Sequence, residues 1–366
     1  MARGQQRFYY LDGLRGLAAL VITVSHFSDK AFGHALLDRI YLAVDFFFVL
    51  AGFVSCYAYE QRLLTDMSWW EFAKRRLIRL YPLYFIGFLG GLAITAALNW
   101  HTVIGLHYLV TPSLAHLAML PTVYEGSFPG ITYLGPFKGE AFPLNLAVWA
   151  LAYEVFVSLL YAALVKRLPD KVLTIVVAGL FVALGLSVAI AGGYSAGSQV
   201  AHIPAGVLRT AFSFFMGVLV FRLWQRRDAP KVSWLTLTLC FYALLSLHRL
   251  GSGNRFLDAG ILLFVMPTLV YLAASCDVPK ALEGICKISG DLAYPIYMVH
   301  YPFVRFAGLF VQTHHLGVRA TAGVFVVTYA AILGLSVLAL KYFDKPVRRW
   351  LNGMAFPRPA GSRAAA

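Results

Sequence analysis

The chain has 366 residues, of which 60% are hydrophobic and only 13% charged, and its formal net charge is +14. Soluble domains carry about 25% charged residues, so this composition excludes a water-soluble globular protein. Apolar stretches of roughly 20 residues, enough to cross a hydrocarbon layer of about 30 Å, recur from end to end, and the expected fold is an all-α, polytopic integral membrane protein.

In chain order, ten membrane helices are expected, over residues 11–28, 41–60, 81–98, 144–165, 172–191, 206–224, 232–249, 257–275, 288–311 and 319–341. Alternate connections, counted from the N-terminus, carry Arg3, Arg7, the loop "KRRLIR" (74–79), "KR" (166–167), "QRRDAPK" (225–231) and "KPVRR" (345–349). Cytoplasmic connections are enriched in Lys and Arg, so this set faces the cytoplasm and both termini lie there. The same asymmetry accounts for the net charge, because basic clusters beside an inner leaflet meet anionic lipid. No nucleic-acid motif accompanies them.

The first apolar run lacks a small-residue cleavage site and is expected to be a retained helix. The connection 99–143 is long and mixes apolar runs with turn-formers, which suggests a partly inserted cap because irregular backbone is not stable against lipid. A transmembrane domain over 1–350 is expected, followed by a short cytoplasmic tail, 351–366, that is Pro/Ala-rich and disordered. Cys56, Cys240, Cys276 and Cys286 form neither a disulfide framework nor a zinc spacing. The ten histidines lack metal-ligand spacing, so no metal is expected.

Ionisable residues inside apolar spans are costly and mark candidate sites. In "RGLAALVITVSH" (15–26), Arg15 and His26 are separated by three helical turns, which at about 100° per residue places them within about 20° of one face and about 16 Å apart along the axis. Arg15 could instead snorkel to headgroups and His26 cap the outer end of its helix. Glu154 lies in the middle of "LNLAVWALAYEVFVSLLY", where it is either a site carboxylate or a paired carboxyl joining helices. His300 lies in "ISGDLAYPIYMVHYPF" with Tyr297 on its face, and the alternative there is a helix-joining hydrogen bond. Asp45, entering "LAVDFFFVLAGF", could orient a histidine as a general base or cap the second helix. "GFLGG" places Gly87 and Gly91 four apart, a spacing for close helix packing. "GYSAG" (193–197) has the form of a serine elbow but follows a membrane helix, not a strand, and is expected to be a loop.

Six of these segments, in order, resemble the acyltransferase-3 family of integral membrane acyltransferases. They are "LDGLRGLAALVITVSH", "VDFFFVLAGF", "RRLIRLYPLY", "WALAYEVFVSLLY", "ISGDLAYPIYMVHYP" and "FDKPVRRWL". Three positions depart from the family pattern: Ala51 and Ala150 stand where serine is usual, and Asp344 stands where glutamate is usual.

The resemblance implies O-acyl transfer from cytoplasmic acyl-CoA, usually acetyl-CoA, to a hydroxyl of a bacterial surface glycan or lipid-linked saccharide across the inner membrane. No permanently bound cofactor is implied. His26 would be the general base, since neutral imidazole titrates in the useful range. Arg15 would hold the thioester carbonyl, the pantetheine arm or a donor phosphate with its fixed fork. Glu154, His300 and Asp45 complete the candidate site, and Arg75, Arg76 and Arg79 are candidates for the nucleotide phosphates. A basic run after an inward helix is also expected from topology alone. A transporter or flippase using Arg15, Glu154 and His300 to couple protons is the competing reading.

Overall fold

The computed structural model describes residues 7–98, 109–122, 139–191, 197–227, 229–247 and 254–356. Its elements are α1 (Tyr9–Phe32), α2 (Leu42–Thr65), α3 (Trp69–Leu98), α4 (Val110–Leu117), α5 (Val148–Leu164), α6 (Asp170–Ala191), α7 (Ile203–Arg226), α8 (Trp234–Ser246), α9 (Asn254–Gly260), α10 (Met266–Ala273), α11 (Lys280–Thr313), α12 (Val318–Leu338) and α13 (Lys345–Ala355). A π-helical turn over Ile261–Val265 joins α9 to α10, and another over Ala339–Asp344 joins α12 to α13. Among the described residues there is no strand, only an isolated bridge between Glu140 and Gln199. The chain is thus an all-α membrane protein.

Each of the ten expected segments overlaps helical residues, and 257–275 spans α9, a π-helical turn and α10. Six helical stretches are long and apolar enough to cross a membrane by length and composition, namely Leu42–Thr65, Trp69–Leu98, Val148–Arg167, Asp170–Ser187, Val200–Arg226 and Val318–Ala355. α1 and α11 are as long but carry the ionisable residues of interest, and α8 and the α9–α10 unit are shorter. Two expectations are corrected. "KRRLIR" is no loop, because α3 begins at Trp69 and the run forms its second and third turns. Residues 351–355 are no disordered tail, because α13 continues to Ala355; residues 357–366 lie outside the described set.

Two parallel helix pairs position the site. α1 runs alongside α11, and small residues let their backbones meet: a methyl group at Gly16 would run into Ser289, and one at Gly290 into Asp12. α2 lies along α7 in the same way, with Gly52 against the Phe214 carbonyl and Gly217 against the Val49 carbonyl. The core follows these pairs, with Phe46, Val49, Phe53, Phe212, Phe214 and Val218 fully buried. α6 and α12 instead present exposed Ile175, Val182, Leu186, Val326 and Val327, as expected of helices that face lipid on most of their circumference.

Proline shapes α11. Pro302 has no N–H, so the carbonyl four residues earlier loses its helical partner. That carbonyl, on Met298, instead accepts a hydrogen bond of 2.8 Å from Asn145 Nδ2, and Gly87 lies against it from α3. Gly91 lies against the Leu144 carbonyl, so the expected close packing of "GFLGG" is present. Part of the long 99–143 connection returns to the bundle. Tyr81 donates to Leu117 O at 2.8 Å, and Tyr84 donates to His116 O at 2.5 Å, docking α4 on α3.

Candidate active site and its cavity

Arg15 and His26 do share a face, and that face meets α11. Arg15 Nη2 donates to Gly290 O at 2.6 Å and to Asp12 Oδ1 at 3.1 Å. Further along, the His26 ring stacks on His300 with centroids 5.5 Å apart and an interplanar angle of 22°. Tyr301 meets the His26 ring edge-on at 5.5 Å. The half-buried His26 is therefore turned toward a neighbouring helix.

His300 is fully buried, and its Nδ1 lies 2.9 Å from Tyr297 O and 3.2 Å from Ile296 O. Carbonyls only accept hydrogen bonds, which assigns the hydrogen to Nδ1 and leaves a lone pair on Nε2. Nε2 is buried and has no partner among the described residues. An imidazole acceptor without a donor is costly in this environment, and here it is stacked against a second imidazole.

A cavity of about 620 Å³ opens between α2, α3, α5, α11 and the α12–α13 junction. Along α11 its wall runs from Gly290 to Tyr297, a depth of about 10 Å at 1.5 Å per residue, and stops short of the histidines. Tyr297 is the connection. It lines the cavity, and its ring is 5.6 Å from His300 and 5.8 Å from Phe47.

The cavity wall holds six cations (Arg15, Arg76, Arg79, Lys345, Arg348 and Arg349) and three carboxylates (Glu154, Asp291 and Asp344). Arg76 is spent on an ion pair with Glu154. Asp344 is fully buried and accepts from Arg348 Nη1 at 3.1 Å. Arg79 makes no hydrogen bond or ion pair among the described residues, and its charged neighbours include Arg76, Arg15 and Arg348. Ala51 and Ala150 both line the cavity, so the two positions where the family usually has serine present methyl groups to it.

The remaining candidates separate from this group. Asp45 neither orients His26 nor caps α2: its Oδ1 and Oδ2 accept from Arg209 Nε at 2.7 Å and Nη2 at 2.6 Å. Arg75 is held by Glu71, with Nη2 at 2.8 Å, and does not line the main cavity. Most of "GYSAG" lies outside the described residues; its Gly197 is described, packed on the Trp149 ring. Sequence reasoning missed Arg209 and the buried Arg39–Asp258 pair, with Nε–Oδ1 at 2.8 Å. A lone arginine in the apolar run of α7 was the available signal, since such a charge requires a partner. It also missed the cavity-lining part of α13.

Fold and site together define an integral membrane protein whose helices enclose an arginine-rich cavity and, just beyond it, a stacked imidazole pair. Within that class the chain belongs to the acyltransferase-3 family, whose model, described as an acyltransferase domain, matches residues 8–341. It is 35% identical over 187 residues to Protein 2 in picA locus of Rhizobium radiobacter, covering 47% of this chain and 90% of that protein. It is 26% identical to exopolysaccharide production protein ExoZ of Rhizobium meliloti (strain 1021), covering 88% and 94%. It is 21% identical to the O-acetyltransferase OatA of Staphylococcus aureus (strain NCTC 8325 / PS 47), covering 93% of this chain and 57% of that protein. No solved structure matches it.

Proposed function

We propose that the protein is an O-acyltransferase of the bacterial inner membrane. It moves an acyl group, acetyl in the simplest case, from cytoplasmic acyl-CoA to a hydroxyl of an extracytoplasmic glycan. Membership of the family and the likeness to an exopolysaccharide production protein and an O-acetyltransferase support the reaction class. The observation that carries the donor assignment is the unpaired Arg79 in a wall with six cations to three carboxylates. Such a wall lacks counter-charge, and a donor bearing several phosphates supplies it through charge-assisted bonds.

The chemistry then follows from the order of groups along α11. The uncharged arm of the donor passes the apolar wall of Phe47, Ala51, Leu83 and Ala150 and brings the thioester to Tyr297. A sugar hydroxyl arriving from the opposite side is a poor nucleophile until a base accepts its proton. Neutral His26 takes that proton as the hydroxyl oxygen bonds to the thioester carbon. The carbon–sulfur bond breaks, and the leaving CoA thiolate recovers a proton from the imidazolium. His300, stacked on the His26 ring, positions it. The alanines at 51 and 150 remove two hydroxyls that could have carried an acyl-enzyme, which favours direct transfer. Arg15, fixed on Gly290 O, lines the same cavity and is available to the donor.

Purified protein in lipid nanodiscs, given acetyl-CoA and candidate glycans, tests this reading. Free CoA should appear only when an acceptor is present. Movement of substrate across proteoliposomes without acyl consumption would replace the enzyme with a transporter.

A further inference from the structure

We infer that the C-terminal helix α13 reads the nucleotide end of the donor, and that Arg349, facing Arg75, holds the 3′-phosphate of CoA. This inference rests on the donor assignment above and concerns which part of the donor each cation meets.

Beside the main cavity lies a second recess lined by Arg75, Arg349, Asn352, Gly353 and Phe356. Arg349 and Asn352 line both spaces, so the two adjoin along α13, and joined they would form one trough that ends at Tyr297. The cations along it differ in pairing. Arg76 is neutralised by Glu154, whereas Arg79, three residues further along α3, faces the charge of Arg348. At the outer end Arg349 is exposed and has no acidic partner among the described residues. Arg75 there is braced by Glu71 at 2.8 Å, and its guanidinium lies over the Phe356 ring, 4.0 Å from the centroid.

The donor has the same order of groups. Its thioester and pantetheine arm are uncharged, the pyrophosphate comes next, and the 3′-phosphorylated adenosine is at the far end. With the arm among the alanines and Tyr297, the pyrophosphate falls at Arg79 and Arg348, and the terminal phosphate reaches the recess. A guanidinium braced on an aromatic ring is pre-oriented and loses little freedom on binding. A second one, opposite and unpaired, gives a bidentate phosphate site. Helix α13 is therefore a specificity element, and "KPVRRW" shares nucleotide recognition with the basic run on α3.

Dephospho-CoA lacks only the 3′-phosphate and is the discriminating probe. Affinities of CoA and dephospho-CoA are measured by calorimetry on the full chain in zwitterionic nanodiscs, where headgroup charge does not compete. The wild-type protein should prefer CoA by about tenfold, the value of one charge-assisted contact. Arg349→Ala should bring the ratio near one by weakening CoA alone, and retained dephospho-CoA affinity shows that the variant is folded. Arg349→Lys should keep an intermediate ratio. Equal wild-type affinities, or a ratio unchanged in Arg349→Ala, overturn the assignment while leaving the donor reading intact. Failure of the wild type to bind either nucleotide overturns both.

Discussion

Two groups of arginines, on different faces of α2, are built on opposite plans. Around the start of α2, Arg209 grips both oxygens of Asp45 and the Tyr41 carbonyl at 2.8 Å, and Arg39 pairs with Asp258, which also accepts from Tyr41. Arg39 and Asp45 are 0% exposed. Around the cavity the bonding is incomplete: Arg15 Nε, Arg76 Nε and Asp344 Oδ1 are buried without partners among the described residues, and Arg79, although near Asp344, makes no hydrogen bond or close ion pair there. The Nε2 atom of His300, just beyond, shares that condition. A saturated buried network fixes helices, because breaking it leaves a bare charge in a poor solvent. An unsaturated one stores binding capacity, because a ligand supplies what the fold withholds.

The contrast can be broken or sharpened by mutation. The largest effect is expected at the unsaturated end: His26→Ala should lower transfer by about 10²- to 10⁴-fold, the range of a general base, with normal yield of folded protein. Activity within a few-fold of wild type would remove His26 as the base. At the saturated end, Asp45→Ala should cost about 3–5 kcal/mol of stability by stranding Arg209, seen as a loss of monodisperse protein in detergent. The double change with Arg209→Leu should recover part of it; no recovery would show that the pair is not the cause. Next, Arg79→Ala should weaken apparent donor affinity by about 10- to 100-fold, matching about 1.5–3 kcal/mol for bonds to a charged group, without altering thermal stability. A destabilised Arg79→Ala would place that residue with the structural arginines. The smallest effect is expected from Arg62→Ala, which removes a half-exposed pair with Glu71 at 3.1 Å and should change stability by about 1 kcal/mol or less.

What was legible in the residues varies along the chain for physical reasons. The helices were legible because a membrane span requires an uninterrupted apolar run, and every expected run overlaps helical residues. Their starts were less so. α3 was placed from Tyr81 when it begins at Trp69, since a basic amphipathic turn at an interface lacks the apolar signal of a span. The Arg15–His26 stripe was legible because three turns of one helix fix both directions. The partner of Asp45 was not legible because it is 164 residues away, and no local pattern marks a pair between two separate helices.

By itself, the sequence determined that this protein is a bundle of membrane helices, that Arg15 and His26 point the same way, and that Glu154 and His300 needed partners inside. Periodicity and the cost of charge in hydrocarbon decide such matters within one helix. Only the tertiary structure decided which partners they found. It gave Glu154 to Arg76 and Asp45 to Arg209, stacked His300 on His26, and left Arg79 without a close ion pair among Arg76, Arg15 and Arg348. Those outcomes depend on which helices lie side by side, and that is set by the small residues and freed carbonyls where backbones meet, a property of pairs of segments and not of any one of them.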